Sequence, residues 1–136
     1  MASTSLDDDR RRAFAATLRG DAVGPDDDGY DDARAVWNGM IDRRPALVAR
    51  CAGAADVIAA VEFAREQDLP PSVRGGGHNV SGSAVRDGGL VIDCGPMDGV
   101  RVDPDARTAR VGPGATWADV DGETAAFGLA TPGGVV

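Results

Sequence analysis

Apolar residues in this chain come in short runs divided by glycine-, proline- and aspartate-rich breaks, and their period changes from run to run. In the first forty or so residues the runs are too short to define a core. Arg10 to Leu18 reads as a short helix. Gly24-Pro25-Asp26-Asp27-Asp28-Gly29 then interrupts with turn formers and repelling charge. Asp32 to Met40 predicts a further helical turn carrying Trp37, and Pro45 closes the segment. Residues 1–43 are therefore expected to be an acidic lead-in with short helices, and residues 44–136 the domain proper.

From Ala46 onward the signals sharpen. Ala46-Leu47-Val48-Ala49 reads as a strand. Between Ala54 and Gln67 the positions Val57, Ile58, Val61 and Ala64 recur at helical spacing, while Glu62, Arg65 and Glu66 take the polar side. Pro70-Pro71 stops that helix, and Ser72-Val73-Arg74 continues as a brief extended piece. Leu90-Val91-Ile92 is a continuous apolar run of the kind a buried strand shows. Val100 and Val102 alternate with Arg101 and Asp103, and Thr108 and Arg110 with Ala109 and Val111. The intervening Pro104-Asp105-Ala106-Arg107 supplies the turn of a β-hairpin. Thr116 and Asp119 have the spacing of a capping box, Trp117, Val120, Thr124 and Phe127 form one helical stripe, and Gly128 is placed to end it. This order of elements predicts an α+β domain with mixed strands. Thr131-Pro132-Gly133-Gly134 runs into the apolar pair Val135-Val136, which reads as the approach to a further element and hence as a truncated chain.

Composition narrows the partners. The net charge is −8, with 22 acidic residues against 14 basic ones, which argues against nucleic-acid and anionic-membrane binding. Every basic residue is an arginine. An Asp-rich surface without lysine is expected of a halophilic, high-GC source, although GC-driven codon choice alone accounts for the missing lysines nearly as well. No apolar run is long enough to span a membrane, and Met1-Ala2-Ser3-Thr4 leads into charge with no signal-peptide core. A cytoplasmic location is therefore expected. Cys51 and Cys94 lie far apart, without a C-x-x-C or a nearby histidine. They read as buried thiols, not a zinc site.

The richest chemistry lies in Arg74-Gly75-Gly76-Gly77-His78-Asn79-Val80-Ser81-Gly82, which holds the chain's one histidine. Consecutive glycines let backbone N–H groups converge on an anion. A P-loop is excluded by the absence of lysine. A dinucleotide fingerprint fails at Gly75-x-Gly77, where Val80 replaces the third glycine, and at Gly112-x-Gly114, where Trp117 does. Two readings remain from spacing alone: a non-helical pyrophosphate cradle with Asn79 and Ser81 as added donors, or a structural turn.

This loop resembles the first FAD-binding loop of the FAD-linked oxidases with a PCMH-type FAD-binding domain, specifically the berberine-bridge-enzyme-like group. Arg44 to Cys51, Asp56-Val57, Ala64-Arg65-Glu66 and Gly89 to Asp93 are similar to the same family. So are Gly114 to Trp117, Phe127 to Gly134 and the lead-in Tyr30 to Gly39. The resemblance spans about Gly29 to the end. It implies that Arg74, Gly75, Gly76, Gly77, His78, Asn79, Ser81 and Gly82, with Pro132, Gly133 and Gly134, bind FAD. It further implies that His78 carries the flavin covalently through its 8α-methyl group. No cysteine follows Gly134, so a single covalent link is expected. The substrate would be a small organic molecule, and the residues acting on it are expected in a missing C-terminal part, leaving the isolated chain inactive. Tyr30, in the acidic lead-in, is a poor candidate for the base. The alternatives are a non-covalent FAD reductase of the same fold and a non-catalytic nucleotide-binding module. Neither oligomeric state nor electron acceptor is legible.

Overall fold

Two of the apolar runs become the centre of a four-stranded sheet. The computed structural model describes residues 6–134; the Met1–Thr4 start and the Val135-Val136 pair lie outside the described residues. Helix α1 (Asp8–Ala15), strand β1 (Asp21–Val23) and the short helix α2 (Tyr30–Arg34) come first. Strand β2 (Leu47–Arg50), helix α3 (Ala54–Glu66), strand β3 (Pro71–Arg74) and strand β4 (Leu90–Asp93) follow. Strands β5 (Val100–Asp103) and β6 (Thr108–Val111) and helix α4 (Trp117–Ala125) complete the chain.

The sheet runs β1-β2-β4-β3. Strands β2, β4 and β3 are parallel, with Leu47 beside Leu90 and Arg74 beside Asp93, while β1 lies antiparallel on β2. Because β4 slots between β2 and β3, the loops leaving β3 and β4 emerge side by side at the carboxyl ends of the parallel strands. Open parallel sheets bind ligands at that edge. The central strands are covered on both faces, which is why each reads as unbroken apolar sequence. On one face Leu47, Ala49, Leu90 and Ile92 pack under Phe14 of α1 and Ala60, Phe63 and Ala64 of α3. Phe14 and Phe63 stack there with centroids 4.2 Å apart. On the other, Val48 and Val91 meet Val23, Tyr30, Ala33 and Val85. Strands β5 and β6 form a separate antiparallel hairpin, as expected.

Several expectations are corrected. The buried face of α3 is Asp56, Ala60, Phe63 and Ala64, whereas Ile58 and Val61 are exposed, because the helix covers the sheet with one narrow face. The expected helical turn at Asp32 to Met40 begins earlier and ends by Arg34, where Ala35 turns extended (ψ 144°). Trp37 therefore sits in irregular chain. The lead-in is part of the domain, since β1 completes the sheet and Tyr30 donates its hydroxyl to the buried Pro45 carbonyl at 2.6 Å. At α4 the capping signals hold, with Thr116 and Asp119 forming the capping box. Of the expected stripe only Val120 and Thr124 are buried, while Trp117 and Phe127 are exposed and Phe127 lies past the helix end. Gly128 (φ 67°) ends the helix, with Leu129 N–H bonded to Thr124 O and Gly128 N–H to Ala125 O.

Asp56 ties the lead-in to α3. Its carboxylate accepts from the backbone N–H groups of Arg19 (2.9 Å), Gly20 (3.0 Å) and Ala52 (2.8 Å). Burial pushes this carboxyl toward neutrality, but the three amide donors outweigh it and hold its pKa below the usual value. Asp56→Ala strands three donors and is expected to cost about 3 kcal/mol at neutral pH. A group whose folded pKa is depressed stabilises above its unfolded pKa and loses that contribution as pH falls through the folded one. The gap between wild type and variant, measured by urea denaturation, should thus hold down to about pH 4 and narrow below it, because a protonated carboxyl is a weaker acceptor. A gap unchanged at pH 2 would refute the assignment.

Candidate functional site

The glycine loop leaves β3 with its backbone donors unspent. Among the described residues, none of the N–H groups of Gly75 through Ser81 donates to a protein acceptor. Gly75 is forced by packing, since a β-carbon there would stand 2.5 Å from the Pro113 carbonyl oxygen. A β-carbon on Gly114 would likewise strike the carbonyls of Cys94 and Gly95. The loops after β3, β4 and β6 are therefore backbone against backbone, which only glycine permits.

Beside this junction lies a cleft of about 880 Å³, walled by Gly76 and His78 on one side and by Pro113 to Trp117 and Leu129 to Thr131 on the other. His78 is exposed, and its imidazole has no hydrogen-bond partner among the described residues. Asn79 shapes the loop: its Oδ1 accepts from Ser81 Oγ at 2.6 Å and Ser83 Oγ at 3.1 Å, so the Ser81 hydroxyl is used internally. Gly82 (φ 71°) makes the exit turn over Ile41. Arg43, which the sequence does not single out, pins that turn by donating to Gly82 O and Val85 O.

Arg74 stands beneath the loop. Its guanidinium donates to Asp93 at 2.7 Å, to Ala33 O at 2.5 Å and to Ala35 O at 3.0 Å, and both charged side chains are buried. Its charge faces into the fold, so it holds the cradle rather than lining it. Of the second expected segment, Thr131 reaches the cleft wall, while Pro132, Gly133 and Gly134 are exposed and Gly133 rests on the Trp117 indole. The thiols are remote in character: Cys51 and Cys94 are buried in the core, and burial pushes the Cys51 thiol up to about 12.

A row of amides without protein acceptors at the carboxyl edge of a parallel sheet, in a loop whose Gly76 and His78 line a cleft of cofactor size, is the arrangement of an anion-cradling nucleotide-cofactor domain. Residues 45–135 match the family model described as an FAD binding domain. Over 123 residues the chain is 40% identical to (R)-6-hydroxynicotine oxidase of Paenarthrobacter nicotinovorans, covering 90% of this chain and 27% of that protein. The crystal structure of 6-hydroxy-D-nicotine oxidase from Arthrobacter nicotinovorans superposes with a TM-score of 0.79 at 42% identity, covering 83% of this chain and 25% of that one. BBE-like 1 of Physcomitrella patens gives 0.68 at 26% identity, covering 74% and 22%. The chain belongs to the PCMH-type FAD-binding domains of the FAD-linked oxidoreductases, and its cofactor is FAD. It spans about a quarter of the length of these relatives.

Proposed function

We propose that this chain is the FAD-holding N-terminal part of an oxidoreductase that oxidises a small organic molecule, with His78 as the covalent anchor of the flavin. The observation carrying the reading is the run of amides from Gly75 to Ser81 without protein acceptors among the described residues, in a loop whose Gly76 and His78 line the cleft. Those amides suit a pyrophosphate, since anionic acceptors favour several converging backbone donors. An imidazole without a hydrogen-bond partner among the described residues has its nitrogens free to act as a nucleophile. The bound flavin supplies the two-electron chemistry; the protein supplies position and electrostatics.

The groups that act on the substrate lie outside these 136 residues in this reading. Tyr30 is unsuited to take a substrate proton: its hydroxyl is committed to Pro45, and burial raises its pKa. The isolated chain is accordingly expected to be inactive. The relative named for hydroxynicotine oxidation supports a small organic substrate without naming it. The test is to precipitate the complete gene product carrying this chain in acid and measure flavin on the washed polypeptide. One equivalent retained is expected. Complete release would replace this reading by the non-covalent reductase, and absence of FAD from the native protein by the non-catalytic module.

A further inference from the structure

The irregular segment after α2 is stitched along the glycine loop. Beyond the two Arg74 bonds to Ala33 and Ala35, Trp37 N–H donates to Gly77 O at 3.1 Å and Asn38 Nδ2 donates to Val80 O at 3.2 Å. These two bonds bracket His78 and Asn79. Asn38 is itself held by Met40 N–H on its Oδ1 at 3.1 Å. The clasp presents the Trp37 indole to the His78 ring, with centroids 5.2 Å apart and planes at 34°. On the backbone side the imidazole crowds Gly76, where a β-carbon would stand 3.1 Å from Cδ2.

We infer that Trp37 is a positioning residue for His78, setting the imidazole orientation in which it bonds to the flavin. The inference rests on the covalent reading above. No polar partner among the described residues fixes the ring, so packing alone selects its rotamer. Trp37 is 78% exposed, so its ring is held by the backbone clasp and by the His78 ring and not by burial in the core. In the attachment an imidazole nitrogen bonds to the 8α carbon. Each gives up one hydrogen as a proton, and the electron pair passes through the flavin ring to dioxygen, which leaves as hydrogen peroxide. Such a step is first order once FAD is bound, and its rate depends steeply on the approach of the two atoms.

The complete gene product, prepared flavin-free, is mixed with saturating FAD and sampled into acid to follow the appearance of acid-stable flavin. FAD affinity is measured separately by fluorescence quenching. Trp37→Ala should slow attachment about tenfold with FAD affinity within twofold of wild type, and Trp37→Phe should restore most of the rate. Attachment by Trp37→Ala at the wild-type rate overturns the inference alone. So does a loss of FAD affinity that accounts for the slower rate and that Trp37→Phe does not rescue, since that pattern belongs to a structural residue. A wild-type protein that binds FAD yet never attaches it overturns the covalent reading and this inference together.

Discussion

His78→Ala in the complete gene product is expected to abolish acid-stable flavin while leaving FAD reversibly bound. The expectation follows from a division of labour within one loop. In the proposed reading the pyrophosphate donors are backbone amides from Gly75 to Ser81, which have no protein acceptor among the described residues, and a backbone amide does not depend on the His78 side chain. The imidazole is exposed and without protein hydrogen bonds among the described residues, so its removal should change folding stability by less than about 0.5 kcal/mol. Among the described residues the two thiols are poorly placed to take over. Cys51 and Cys94 are buried in the core, and the Cys51 thiol is pushed up to about 12, which keeps it protonated at any physiological pH. The measurement is the flavin absorbance of acid-washed protein beside the FAD content of the native protein. Retention of covalent flavin by His78→Ala would show that another residue forms the bond.

What was legible in the sequence was local. The Thr116–Asp119 box, the left-handed Gly128, the β5–β6 turn and the continuous strands β2 and β4 each rest on residues within a few positions of one another. The glycine loop was legible for the same reason: three adjacent glycines announce backbone donors whatever surrounds them. The supports of the site were not, because they join residues about forty positions apart. Trp37 meets His78, Asn38 meets Val80, and Arg74 meets Ala33 and Ala35, all through a segment whose sequence reads only as acidic and irregular. Strand β1 was missed because three residues at a sheet edge carry no period. Ile58 and Val61 misled in the opposite sense, since apolar spacing marks a stripe but does not say how wide the covered face is.

Arg74→Met is expected to cost about 3–5 kcal/mol, the range for leaving one member of a buried ion pair alone. The side chains of Arg74 and Asp93 are 10% and 9% exposed, so water cannot solvate what the substitution uncovers. Asp93 would keep Gly95 N–H at 3.0 Å as a donor but lose its cation. The carbonyls of Ala33 and Ala35 would lose their donors too, and with them part of the clasp that brings Trp37 to the loop. Arg74→Lys should fall between wild type and Arg74→Met, because one ammonium cannot serve a carboxylate and two carbonyls in the guanidinium's fork geometry. The double variant Arg74→Met/Asp93→Leu should recover most of the loss, since it removes the stranded charge. Urea denaturation of the four proteins gives the order directly. FAD affinity should fall in Arg74→Met and remain weakened in the double variant, because restored burial does not rebuild the bonds to Ala33 and Ala35. If both single variants keep wild-type stability, the pair does not hold the loop, and the cradle must owe its shape to the glycine junction with Pro113 alone.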